Sequence, residues 1–178
     1  MSKIKIGNAR LSFPSLFQTA KFNSEDTGKY EATFILDKVE HAELIESIKT
    51  KINAILKDEI KGKLASDKIC FKDGDDQDRP EYAGKYVIKA STKKRPLVIK
   101  RDKSPITEDD NIVYAGCYVH GIISLWAQNN SWGKRINAQL DGIQFVKDGD
   151  AFGDAAGIGT DAFDAFGDST DEDDDFFS

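Results

Sequence analysis

Residues 3–13, KIKIGNARLSF, set Ile4 and Ile6 against Lys3 and Lys5. That period of two predicts a strand. Residues 29–36, KYEATFIL, predict a second, with Tyr30, Ala32, Phe34 and Leu36 on one face. The period then changes. Between residues 37 and 62, Leu44, Ile45, Ile48, Ile52, Ile55, Leu56 and Ile60 recur three and four apart, with charges opposite. This predicts one long amphipathic helix. Asp37, with Glu40 three positions on, is placed to cap it, and Gly62 to end it. Such a stripe can bind a partner helix, but packing on a sheet is its commoner use. After an acidic loop, FKDGDDQDRPEYAGK, the stretches GKYVIKAS and PLVIK predict further strands. NIVYAGCYVHGIISLWAQ and WGKRINAQL predict a hairpin turning at NNS, residues 129–131. The chain reads as mainly β with one long helix.

The pattern stops at Lys147. The remaining segment is rich in Gly, Ala and Asp and holds no Lys, Arg, Pro or Val. It repeats DAFGD (150–154), DAFD (161–164) and DAFGD (164–168), and it closes on DEDDDFFS. Such a segment buries too little apolar surface to offset its ordering entropy. The expected organisation is a folded domain over residues 1–147 and a disordered, acidic, Phe-containing tail over 148–178. Charge segregates at the same point. All 25 basic residues precede Asp148, together with 20 of the 31 acidic ones, so the body carries +5 and the tail −11. A basic body on an acidic tail points to a polyanion partner, with the tail as competitor or docking handle.

Little in the chain suggests catalysis. It has no Gly-rich phosphate loop, no HExxH and no nucleophile elbow. Cys70 and Cys117 are far apart among apolar neighbours and read as reduced, buried thiols. His41 and His120 add no metal-ligand spacing, so neither a metal nor a cofactor is expected. Asp73, Asp75, Asp76 and Asp78 lack the calcium-loop spacing and read as a solvated mobile loop. With the acidic run at 108–110 they motivate a rival reading, a metal-dependent nuclease. No apolar run is long enough to span a membrane and no leader pattern precedes the first strand, which makes the cell interior the default.

Two constellations fit binding. Residues 89–103 concentrate Lys89, Lys93, Lys94, Arg95, Lys100, Arg101 and Lys103 against Asp102 alone. Clustered cations of this kind suit phosphates. In the hairpin, alternation sends Val113, Cys117, Val119, Ile123 and Leu125 to one face and Tyr114, Tyr118, His120 and Trp126 to the other. Exposed rings in a row form a stacking platform, worth about 1–3 kcal/mol per base. Trp132, Lys134 and Arg135 extend it past the turn. Two alternatives stand beside this reading. The rings could cover a second core under the helix, or Gly116 and Gly121 could mark bulges that swap the faces.

The hairpin stretches YAGCYVHGIISLWAQNN and GKRINAQLDGIQFVKDGD resemble a family of single-stranded DNA-binding proteins of tailed bacteriophages. SKIKIGNARLSFPSLF, GKYEATFIL and KKRPLVIKRDKSPI fit the same pattern, so the resemblance covers nearly all of residues 2–150. It implies an OB-like antiparallel β-barrel with additions, followed by an acidic C-terminal tail. It also implies non-catalytic, sequence-independent single-strand binding in phage replication and recombination, within the cytoplasm of the infected bacterial host. The tail, with Asp171, Glu172, Asp173, Asp174, Asp175, Phe176 and Phe177, would contact a polymerase, helicase-primase or recombinase. The DNA-facing residues come from charge and parity: Lys89, Lys93, Lys94, Arg95, Lys100, Arg101, Lys134 and Arg135 for phosphates, and Tyr114, Tyr118, Trp126 and Trp132 for bases. The basic patch could hold duplex DNA as well. A third reading is a replication scaffold with no DNA affinity of its own.

Overall fold

The computed structural model describes residues 2–151 except 23, 78, 111 and 132. Trp132 and the tail from Phe152 onward, with Asp171 to Phe177, lie outside the described residues. In chain order the strands are β1 (Ser2–Ser15), β2 (Lys21–Phe22), β3 (Glu25–Asp26) and β4 (Tyr30–Asp37). The helix α1 (Ala42–Ile55) comes next. After it stand β5 (Phe71–Asp73), β6 (Lys85–Thr92), β7 (Leu97–Ile99), β8 (Tyr118–Asn130) and β9 (Gly133–Lys147).

Five of these strands close a barrel. β1 pairs antiparallel with both β4 and β8, β4 with β6, and β8 with β9. β6 meets β9 in parallel and completes the circuit. In chain order the barrel strands run first, second, third, fifth, fourth and back to first, the order of an OB barrel. β5 adds to β6, and β7 adds to β9. The closure is thin. β6 and β9 share one register pair, Ser91 with Gln139. Below it the two strands diverge, and the gap is bridged by Ile69 beside Ile136 and by the Cys70 amide donating to the Ile136 carbonyl.

Period two explains the interior. Ile4, Ile6, Leu11, Phe34, Leu36, Ile88, Val119, Ile123, Leu125, Ile136 and Leu140 are all buried in one cluster. Each fully buried chain of this kind contributes about 1.5–3 kcal/mol. The helix lays Ile45, Ile48, Ile52 and Ile55 into the same cluster and contacts β1 and β8. Its stripe therefore packs on the sheet. The helix sits between the second and third barrel strands, and the barrel order accommodates it there.

Several local expectations change. Asp37 does not cap α1. Its carboxylate accepts the amides of Val39 and Glu40, closing a turn one step earlier, and the helix starts after His41 without a side-chain cap. The helix ends in a wider turn, Leu56–Ile60, and the left-handed residue there is Lys61 rather than Gly62. The strand predicted from residue 111 begins only at Tyr118, because Gly116 turns the chain at φ +112°. Gly121 is not a bulge. A Cβ there would lie 2.5 Å from the Phe34 ring, so it is a packing glycine. The bulges fall in the partners of β8, at Gly7–Asn8 of β1 and near Asp141 and Val146 of β9. The alternation of β8 therefore survives, with Val119, Ile123 and Leu125 inside and His120 and Trp126 outside.

The two histidines serve the β1 bulge. His41 Nε2 donates to the Gly7 carbonyl, while its Nδ1 accepts the Asp37 amide. His120 Nδ1 accepts the Asn8 amide. These are backbone groups that a bulged ladder leaves unpaired.

Candidate nucleic-acid interface

A groove of about 720 Å³ runs across the thin closure of the barrel. Its floor is the outward face of three strands: Glu31 and Thr33 from β4, Val87, Lys89 and Ser91 from β6, and Arg135 and Asn137 from β9. Register aligns Thr33 with Lys89 and Glu31 with Ser91. One wall is the 67–72 segment and the other carries Arg79 and Tyr82.

Six cations line the groove: Lys29, Lys68, Lys72, Arg79, Lys89 and Arg135. Glu31 and Asp67 are the only acids there among the described residues. Lys89 Nζ lies 3.5 Å from Glu31, but its side chain is 61% exposed. A pair this open is worth at most about 1 kcal/mol, which leaves the ammonium open to an anion in the groove. Arg135 donates to the Asp67 carbonyl at 3.4 Å, which points its guanidinium along the wall. Cys70 also lines the groove, and burial pushes its thiol up to about 12. Burial raises the Cys117 thiol too, so neither is a ready nucleophile.

Phe13 marks the rim. It sits where the β1–β4 register slips between Ser12 and Ser15, with φ +47°. For a bulky residue that backbone is strained, and strain of this kind gathers at binding sites. The slip turns the ring out to 46% exposure, and the Arg79 guanidinium lies 4.4 Å from its centroid. A second cavity of about 470 Å³ shares Phe13, Glu31 and Arg79 with the groove and runs on to Tyr114. The two cavities therefore adjoin at the capped ring.

The structure separates the residues chosen from sequence. Lys89 and Arg135 meet in the groove. Lys93 and Lys94 are exposed just beyond β6, at the end of the strand that carries Lys89. Trp126, 36% exposed, pairs across the hairpin with Asn137 and so flanks the groove. The others lie elsewhere. Arg95 donates to the Phe17 carbonyl, and Lys134 reaches the Ile60 carbonyl at the end of the helical segment. Lys100 and Arg101 occupy the turn after β7, where both carbonyls accept from Gln144.

Tyr114 and Tyr118 hold the segment just after β9. The Tyr114 hydroxyl donates toward Asp148 and the Gly149 carbonyl and accepts the Gly149 amide. The Tyr118 ring lies under Lys147 and against Gly149. Arg10 reaches the Asp150 carbonyl, so residues 148–150 pack on the barrel.

The acidic loop is folded rather than loose. Asp73 and Asp75 close on Lys38 Nζ at 2.8 and 2.7 Å. That ammonium, ahead of the backbone amides, holds both carboxyls below their ordinary value. Among the described residues no three His, Cys, Asp or Glu side chains gather as a metal site. Asp78 lies outside them. No helix among the described residues is long and apolar enough to cross a membrane.

A closed barrel in this order, with a basic groove over its second, third and fifth strands and an arginine-capped ring at the rim, has the layout of a single-strand-binding OB barrel. The comparisons agree. The family model of the ssDNA-binding protein of Enterobacter phage Enc34 matches residues 2–177, and the chain belongs to that family. A putative protein p50 of Acyrthosiphon pisum secondary endosymbiont phage 1 is 38% identical over 84% of this chain and 86% of that relative. The bacteriophage Enc34 single-stranded DNA-binding protein, solved in complex with ssDNA, is 33% identical with a TM-score of 0.77. That likeness covers 85% of this chain and 90% of the solved one. The single-stranded DNA-binding protein gp2.5 of bacteriophage T7 is 14% identical with a TM-score of 0.50, over 97% and 99% of the chains. It speaks for the fold alone.

Proposed function

We propose that this chain binds single-stranded DNA without base specificity or catalysis, in phage replication and recombination within the host cytoplasm. The observation that carries the proposal is the groove itself. Six cations line a channel over the barrel's outer face, beside a ring already capped by an arginine. Phosphates follow Lys89, Arg135 and their neighbours, with Lys93 and Lys94 at the exit. Bases stack at Phe13 and Trp126. Stacking needs an unpaired base, so single strands are preferred over duplex. The barrel over residues 1–147 is the binding domain. The tail carries −11 and competes with DNA for the groove, and its last residues recruit a polymerase, helicase-primase or recombinase.

The test uses the full chain and a chain ending at Ala151, which keeps the partners of Tyr114 and Arg10 in place. Salt-titrated binding to single- and double-stranded DNA should show the shorter chain binding tighter, with the steeper salt dependence. Equal affinity at every salt concentration refutes the competition. Binding to neither DNA by either chain refutes the function, and metal-dependent cutting of the DNA refutes the absence of catalysis.

A further inference from the structure

A slot of about 380 Å³ lies on the outer face where β7, β8 and β9 meet. Leu97 and Ile122, 62% and 38% exposed, form its lips, and Gly142 and Ile143 its floor. A cavity near 150 Å³ already accommodates benzene, so an aromatic side chain fits with room to spare. None of the lining residues is acidic, and Lys5 stands at one edge. At another edge Gln144 ties in the turn of Lys100 and Arg101. Asp102 in that turn is folded back onto Ser104. Lys5 and the turn of Lys100 and Arg101 thus flank an apolar slot. The slot is separate from the groove. Along the outer face of β8, His120 and Ile122 belong to the slot and Trp126 to the groove flank. Between them Ser124 is bonded to Asp141.

We propose that this slot is the docking site for the chain's own DAFDAFGD segment, residues 161–168, with Phe163 or Phe166 between Leu97 and Ile122. The chemistry matches on both counts: a ring for the apolar lips, and aspartates on either side for Lys5 and Arg101. The path matches too. The chain leaves the barrel at residues 148–150, pinned by Tyr114, Tyr118 and Arg10. Ile122 lies four residues along β8 from Tyr118, about 13 Å at strand rise. Phe163 is twelve residues beyond Ala151, and a coil of that length spans about 19 Å root-mean-square. A tether matched to its span presents the segment to the slot at an effective concentration of about millimolar order. Docking there leaves DEDDDFFS free. The proposal does not depend on DNA binding.

The test is methyl NMR on the full chain, labelled at Leu and Ile. Expected are ring-current shifts at Leu97 and Ile122 that disappear in Phe163→Ser/Phe166→Ser, persist in Phe176→Ser/Phe177→Ser, and hold on hundredfold dilution. Arg101→Glu, an exposed change that leaves the core alone, should shrink them. Methyl signals unmoved by Phe163→Ser/Phe166→Ser overturn the proposal. Shifts lost only with the terminal pair move the occupant to Phe176–Phe177 and overturn it as well. Shifts that fade on dilution assign the slot to a second copy's tail and overturn the intramolecular site.

Discussion

The groove makes a quantitative prediction about salt. On single strands each neutralised phosphate adds about 0.7 to the slope of log affinity against log salt. Six lining cations, if all engaged, give a slope of about 4, so affinity falls about 300-fold between about 50 and 200 mM salt. The double substitution Lys89→Ala/Arg135→Ala removes two cations from the floor, one on each side of the barrel closure. The slope should drop to about 3 and the fall to about 50-fold over the same range. Lys100→Ala/Arg101→Ala removes the same formal charge from a turn that does not line the groove, so its slope should stay near the parent's. The comparison separates contact from net charge, because both variants alter the body's charge equally. The assay is fluorescence anisotropy of a labelled oligothymidine with the chain ending at Ala151, at several salt concentrations. Equal slopes for the two variants, or a larger loss for Lys100→Ala/Arg101→Ala, would refute the placement of the DNA path.

Three other contacts carry predictions of their own. Phe13→Ala should weaken single-strand binding by about 1–3 kcal/mol, the value of one stacked base, with no change in salt slope, since it removes a ring and no charge; an unchanged affinity moves the bases elsewhere. Gly121→Ala should cost about 1–3 kcal/mol by pressing on Phe34, and Phe34→Leu should absorb part of that cost, a coupling read from a denaturant double-mutant cycle; strict additivity would place the strain elsewhere. Asp37 is held well below its ordinary 3.8, first by Lys85 and then by the Glu40 and Val39 amides. A depressed acid stabilises the fold above its unfolded value, and that stability fades as pH falls below about 4. Asp37→Asn should therefore be less stable than the parent at neutral pH, with the gap closing in acid, as monitored by urea unfolding at several pH values.

The barrel interior was legible because alternation is a local signal. Phe34, Leu36, Ile123 and Leu125 must face inward whatever their partners are. The helix stripe was legible for the same reason. The groove was not, because it is assembled across sequence. Lys29 stands on one segment and Lys68 and Lys72 on another, and only strand pairing brings them to Lys89 and Arg135. The dense run 89–103 divides for the converse reason: a turn and a short strand carry its second half around the barrel to Gln144. Phe13 gave the opposite of its true signal. Strict alternation from Leu11 would bury it, and only the slip before Pro14 turns it outward. The proline was the one available hint, since it breaks a strand ladder. Tyr114 and Tyr118 shared the parity of a platform, but Gly116 takes Tyr114 off the strand and onto the chain's exit.

The thin closure between β6 and β9 has a mechanical consequence. One register pair and the Cys70 amide hold this flank shut, whereas β8 and β9 pair along nearly their whole length. Local opening should therefore begin here, and the Cys70 amide, which bonds across the closure, should exchange with solvent before those of the central hairpin. A strand bound at once to Lys89 on one lip and Arg135 on the other crosses that flank like a clasp. Occupancy would then slow exchange at amides the ligand never touches, and the barrel would be tightest while it is loaded.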